Sequence, residues 1–219
     1  MNDIQDMTVF DAHFVHPFIF IVAGPTMVGK THFVNELIEN RDKLITTPPQ
    51  NIVWFYGERT KLIEKSEQNS IYHFVEGIPP DYSAYIHPTK PNLFVFDDLM
   101  LEISKNEQMV DLITKKAHHK NISIILILQD IFYKGSERKT LLRNAQYITL
   151  FCNPLDLSGV YSLGFRIAPK RISKFINLFE AITSKRYGYL VIDGKSTTPL
   201  GARFRTDIFK PYQRAFRLT

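Results

Sequence analysis

The apolar positions of this 219-residue chain fall into short uninterrupted runs separated by stretches of helical spacing. Phe18-Ile-Phe-Ile-Val-Ala23 contains no polar residue, the pattern of a strand covered on both faces as central parallel strands are. Phe33, Val34, Leu37 and Ile38 then recur with the spacing of one helix face. Thr46-Thr-Pro-Pro49 interrupts, Ile52-Val-Trp-Phe-Tyr56 predicts a second strand ended by Gly57, and a polar helix is expected from Arg59 to Glu67. Tyr72-His-Phe-Val75 predicts a short third strand, and Leu93-Phe-Val-Phe96 a fourth that runs directly into Asp97 and Asp98. Ser104-Lys-Asn-Glu107 reads as a capping box starting a helix with Met109, Val110, Ile113 and Ala117 on one face. A central strand is predicted over Ile122 to Leu128, a short helix from Ser136 to Leu142, and a strand from Tyr147 to Phe151 stopped by Asn153-Pro154. Ile172, Phe175, Ile176, Phe179 and Ile182 mark another helix, and Tyr187 to Ile192 a late strand suited to an antiparallel place. Strands alternating with helices predict a layered α/β fold with a mostly parallel sheet. The chain carries no internal repeat and no low-complexity linker.

The candidate chemistry sits at the ends of these runs. Gly24, Pro25, Thr26, Met27, Val28, Gly29, Lys30 and Thr31 form a complete G-x-x-x-x-G-K-[ST] Walker A loop, in the strand–loop–helix context that such a loop needs. The glycines let backbone N–H groups curl around phosphate oxygens, and the helix N-terminus adds its positive dipole end. Lys30 is expected to reach the β- and γ-phosphates and the Thr31 hydroxyl to ligate Mg²⁺, which makes ATP and Mg²⁺ the implied cofactors. Four apolar residues ending in Asp97-Asp98 are the Walker B pattern: Asp97 is expected to hold Mg²⁺ directly or through water, and Asp98 to orient or deprotonate the attacking water. Gln129 comes at the end of the next strand, where ligands gather in open α/β sheets, and its amide could touch the γ-phosphate and the water together. Arg138 and Arg143 flank the short helix beyond it. Either could enter a neighbouring subunit's site as an arginine finger, a contribution of about 10³ to 10⁵ in rate in the template cases, although surface arginines are commoner than fingers.

Composition narrows the setting. With 44% hydrophobic and 22% charged residues the chain is ordinary globular material, long enough for one sizeable α/β core and short for two domains. No apolar run approaches bilayer-spanning length, and the acidic start Met1-Asn-Asp-Ile-Gln-Asp6 lacks the cationic lead of a signal peptide, so an intracellular protein without a membrane partner is expected. The single cysteine, Cys152, reads as a buried strand residue, and His118-His119 as residues at a helix end, without acids or cysteines at metal-ligand spacing. The net charge of +5 is uneven: residues 151–219 hold twelve Lys and Arg against four Asp and Glu, a net +8, which leaves −3 for residues 1–150. A basic surface beside a nucleotide site suits action on nucleic acid, but a merely solvated basic face is the commoner meaning of such a distribution.

Several blocks together resemble a family, the viral DNA-packaging ATPases of the FtsK–HerA superfamily, particularly those of polintons, adintoviruses and similar elements, related to poxvirus-type packaging ATPases. Besides the Walker A loop they are Trp54-Phe-Tyr-Gly57-Glu58, Phe74-Val-Glu-Gly-Ile-Pro79, Phe94-Val-Phe-Asp97-Asp98-Leu-Met100, His118-His-Lys-Asn-Ile-Ser123, Leu128-Gln129-Asp130-Ile-Phe132, Asn144-Ala-Gln-Tyr147 with Leu150 to Pro154, and Arg186-Tyr-Gly-Tyr-Leu190. Two departures stand out. Where the family carries Thr-Gln-Asn this chain has Leu128-Gln129-Asp130, and where it carries Arg-Thr this chain has Lys139-Thr140 with Arg138 one residue earlier, which leaves the finger open between Arg138, Arg143 or neither. The resemblance implies a three-layer P-loop NTPase fold of the additional-strand type with late antiparallel strands. It further implies a homo-oligomeric ring that moves double-stranded DNA into a capsid, with a capsid or portal-vertex protein as partner. The place of action would be the site of virus assembly or the virion, with nucleus or cytoplasm left open. Residues 17–212 are expected to form the ATPase domain, with an extension at 1–16 and a basic tail at 213–219. The competing readings are a small nucleoside or nucleotide kinase, which would need a lid with clustered arginines, and a nucleotide-gated adaptor that does not turn over.

Overall fold

Runs of four to seven apolar residues satisfy their backbones by lying side by side, and their side chains, alternating between two faces, then demand cover on both. The computed structural model describes residues 4–9, 12–66, 69–131 and 138–219 and has this arrangement. The elements run β1 (Ile4–Val9), β2 (Ile19–Ala23), α1 (Lys30–Glu39), α2 (Arg41–Leu44), β3 (Asn51–Tyr56), α3 (Lys61–Ser66), β4 (Tyr72–Glu76) and β5 (Asn92–Asp97). They continue with α4 (Met100–Ser104), α5 (Glu107–Asp111), β6 (Ile122–Leu128), α6 (Arg138–Asn144), β7 (Tyr147–Phe151), α7 (Ser158–Ile167), α8 (Ile172–Thr183), β8 (Tyr189–Asp193), β9 (Phe204–Thr206) and β10 (Gln213–Leu218). One sheet contains all ten strands in the order β1-β10-β9-β8-β7-β2-β6-β5-β3-β4. From β7 to β4 every neighbouring pair is parallel; from β7 to β1 every pair is antiparallel.

The alternation of the strands sorts the core into two layers. Ile19, Ile21, Phe94, Phe96, Ile124 and Leu126 face the side covered by α4, α5, α7 and α8. Phe20, Val22, Leu93, Val95, Ile125 and Ile127 face the side covered by α1, with Leu44 and Ile63 from the two helices that follow it. α8 docks through Phe175, Ile176, Leu178 and Phe179, each buried. At about 1.5–3 kcal/mol per buried large apolar side chain, that face outweighs the marginal stability of a twelve-residue helix on its own.

Several details of the sequence reading take a different form in the structure. Ser104 caps no helix: it ends α4, its hydroxyl donating to the Leu101 carbonyl at 2.8 Å, while Asn106 caps α5 by accepting the Met109 N–H at 3.2 Å. The face carrying Met109, Ile113 and Ala117 is buried as expected, but Leu112–Lys116 takes a π-helical turn, and His118 and His119 lie in the turn beyond it. Cys152 follows the last residue of β7 and is half-buried. Finally, the segments set apart as an extension and a tail contain strands: Ile4–Val9 pairs antiparallel with Gln213–Leu218, which pairs with β9, so both segments belong to the sheet. Residues 136 and 137 of the expected Ser136–Leu142 helix lie outside the described residues; the described helix is Arg138–Asn144.

Candidate functional site

The parallel strands all deliver their C-terminal ends to one edge, and the motif residues sit on those ends. β2 leads into the Walker A loop, and Gly24 is required there by space: a Cβ on it would stand 2.7 Å from the Phe151 Cβ on β7. The loop turns through left-handed backbone at Met27 (φ 67°) and Gly29 (φ 101°), and Gly29 forms the N-cap of α1. Successive N–H groups in such a turn, with the unpaired N–H groups of the first helical turn, form an anion-binding concavity. Lys30 bridges this loop, its ammonium donating to the Gly24 and Pro25 carbonyls at 2.7 Å each. Burial lowers its pKa, and the charges of Asp98 and Asp97 work in the opposite direction.

β5 brings the acids opposite. Asp97 is the last residue of that strand, half-buried, with its Oδ2 3.5 Å from the Thr31 hydroxyl. Burial pushes its carboxyl up to about 6 and the neighbouring Asp98 adds to this, while Trp54, Lys30 and Thr31 favour the charged form. The Trp54 indole N–H is close enough to act electrostatically but has no hydrogen-bond partner of good geometry. Asp98 lies just past the strand in left-handed backbone (φ 56°), exposed, and its Oδ2 accepts from Gln129 Nε2 at 2.5 Å. That bond ties the end of β6 to the end of β5.

Thr31, Asp97, Asp98 and Gln129 therefore converge on one open cleft of about 1190 Å³ whose floor is the Walker A loop. The Thr31 and Asp97 oxygens are near enough to share one octahedral cation directly or through a water, and the donor set of hydroxyl and carboxylate is that of Mg²⁺. Among the described residues no group of three or more His, Cys, Asp or Glu could hold a metal by itself. A bound cation would also relieve the raised pKa of Asp97.

This gives a stability prediction. Asp97 is protonated in the folded chain at pH values where it is already charged in the unfolded one, so its contribution is most favourable below about pH 4 and declines as pH rises through about 6. Asp97→Asn removes the cost, so at pH 7.5, without metal or nucleotide, the variant should be the more stable by about 1–2 kcal/mol, after allowance for partial exposure. The difference should vanish near pH 4. Denaturant melts of both proteins across this range check it, and a variant less stable at every pH would refute it.

Of the two finger candidates, Arg143 stands apart from this group. Arg143 is exposed in the last turn of α6, leading to the start of β7, and is not among the residues lining the cleft. Arg138 begins that helix, and its side chain lies outside the described residues. Sequence reasoning missed other parts of the cleft: Glu36, Glu58 and Glu102 among the acids, and Tyr187, Tyr189 and Phe209 among the aromatics. The available signal was Tyr187-Gly188 between a helix and a strand, an aromatic next to a turn-forming glycine.

The same architecture occurs in solved structures. B204, the DNA-packaging ATPase from Sulfolobus Turreted Icosahedral Virus, superposes over 84% of this chain and 96% of its own, with a TM-score of 0.57 at 14% identity. The fold is that of a P-loop NTPase. Genome packaging NTPase B204 from Sulfolobus turreted icosahedral virus 2 matches in complex with ATP-gammaS, over 83% of this chain and 94% of its own at 13% identity and a TM-score of 0.56. Its complex with AMPPCP matches over the same shares at 16% identity and a TM-score of 0.55. No protein-family profile matches the chain, and no curated protein matches it in sequence. The likeness to B204 is thus one of fold, a mixed α/β sheet that is mostly parallel with some antiparallel strands. Among the described residues no helix is long and apolar enough to cross a membrane.

Proposed function

We propose that this chain is an ATP-hydrolysing motor subunit that packages double-stranded viral DNA into a capsid, as the blocks resembling packaging ATPases suggest. The observation that carries the hydrolytic part is the single cleft in which Lys30, Thr31, Asp97, Asp98 and Gln129 meet. In this reading the loop N–H groups and Lys30 hold the phosphates, and Thr31 and Asp97 hold Mg²⁺, which supplies charge neutralisation at the β- and γ-oxygens when bound. Asp98 accepts a proton from the attacking water, and Gln129, already bonded to Asp98, fixes the carboxylate and reports whether a γ-phosphate is present.

The charge of the cleft supports a multi-subunit site. Lys30 is the sole Lys or Arg among the described residues that line it, against five carboxylates at Glu36, Glu58, Asp97, Asp98 and Glu102. A phosphoryl group in flight needs more positive charge than one lysine and a metal supply, and a neighbour's arginine is the usual source. Exposed Arg143, away from its own subunit's cleft, is free to play that part in a ring; Arg138 is the alternative. The same scarcity of cations speaks against a nucleotide kinase, which clusters arginines around an acceptor phosphate.

Purified protein should release phosphate from ATP in the presence of Mg²⁺, faster when duplex DNA is added, and its mass in nucleotide should be a multiple of the 25.5 kDa chain. Phosphoryl transfer to an added nucleoside instead of water would establish a kinase, and tight binding without turnover an adaptor.

A further inference from the structure

The cleft is chemically two-sided, and the strand order is the reason. On one flank of β2 stand β6 and then β5, which bring Gln129, Asp97 and Asp98. On the other flank stand β7 and then β8, which bring Phe151 and Tyr189, with Tyr187 two residues before β8 begins its register. The Walker A loop lies between. A nucleoside triphosphate whose terminal phosphate reaches Asp97 and Asp98 across this loop extends its nucleoside end away from the acids, toward the aromatic flank.

Tyr187 is the residue set for that end. Its Cδ1 stands 3.4 Å from the point where Gly29 would carry a Cβ, so the ring lies at the rim of the phosphate loop. Its backbone is left-handed (φ 59°), a conformation unfavourable for a bulky residue and kept where the surroundings impose it. Gly188 imposes it: its N–H donates to the Lys185 carbonyl at 2.8 Å, and a Cβ on it would stand 2.5 Å from the Ile182 carbonyl oxygen. This tight turn carries the Tyr187 ring over the loop. The Arg186 guanidinium lies 4.9 Å from the ring centroid and donates to the tyrosine hydroxyl at 3.0 Å, which steadies the ring. Even so, Tyr187 is 55% exposed.

We propose that Tyr187, steadied by Arg186, stacks on the base of the bound nucleotide, so that the cleft takes its substrate in one direction, base toward β8 and terminal phosphate toward β5. This rests on the nucleotide-binding reading of the cleft. Stacking is tolerant of base identity because every base has a π-face, so Tyr187 governs affinity for the nucleoside end rather than choice among bases.

The decisive variant is Tyr187→Gly, because glycine adopts the positive φ without strain and removes only the ring. Wild type and variant are titrated by calorimetry with ATP and with inorganic tripolyphosphate, each with Mg²⁺. ATP binding should weaken about 5- to 100-fold, tripolyphosphate binding should stay within about 2-fold, and Tyr187→Phe should remain within about 3-fold of wild type for both. Unchanged ATP affinity in Tyr187→Gly overturns the proposal, as does an equal loss for both ligands, which would make the residue a support of the loop. Wild-type protein that binds neither ligand refutes the nucleotide reading itself, a result distinct from both.

Discussion

Lys30→Ala should lower ATP turnover by at least about 10²- to 10³-fold, the loss seen when one preorganised charge-stabilising donor is removed from an active site. The expectation follows from position. The ammonium sits inside the loop, bonded to the Gly24 and Pro25 carbonyls, and is the one lysine or arginine among the described residues of the cleft. When phosphates enter, it can exchange those two neutral acceptors for charged ones without moving off the loop. Alanine leaves the loop geometry, which is set by Gly24, Met27 and Gly29, so the fold should survive and its melting temperature without nucleotide should change little. Steady-state phosphate release and nucleotide titration measure the effect, and turnover equal to wild type would end the Walker A assignment.

Asp98→Asn should separate chemistry from binding. Turnover should fall by about 10²- to 10⁴-fold, the usual contribution of a positioned general base, while ATP affinity stays within about 3-fold. Three features favour a clean result. Asparagine is among the residues that best tolerate the left-handed backbone at this position (φ 56°), so the turn is kept. Its side-chain oxygen can still accept from Gln129, so the link between the ends of β5 and β6 remains. Asp98 is also exposed, which makes the stability cost small. Single-turnover measurements should find ATP bound and uncleaved. Near-normal cleavage would move the water-activating role to another carboxylate of the cleft, with Glu58, on the loop after β3, the nearest in strand order.

The two readouts differ because the residues act on different states. Lys30 meets phosphate in both the ground and transition states, whereas Asp98 matters only as the water attacks.

What was legible in the sequence follows from burial. β2, β3, β5, β6 and β7 are covered on both faces, so their composition is almost purely apolar and needs no partner to be recognised. The Walker A loop, Asp97, Asp98 and Gln129 were legible because local chain geometry places them: each ends such a strand or follows directly on it. α7 was not foreseen. Its Gly164 reads as a helix breaker but serves close packing, since a Cβ there would stand 2.8 Å from the Phe175 ring on α8, and Phe165 on the same helix is 61% exposed.

The sequence by itself determined a parallel α/β core with a glycine-bearing loop, an acid pair and an amide at strand ends, because those features depend on local order and on burial from both sides. Only the tertiary structure decided how the chain's two ends close the sheet. The paired residues of β1 and β10 are 204 or more positions apart and meet only through pairing. Arg205, counted in the sequence with a basic C-terminal region, is buried against Asp193 and donates to the Gln213 side chain and the Ala12 carbonyl. The tertiary structure likewise brought Tyr187 to Gly29, across 158 residues, on the flank opposite the acids. Such pairings cost loop-closure entropy and leave no periodic trace in the chain, so they become visible only where the folded strands set them side by side.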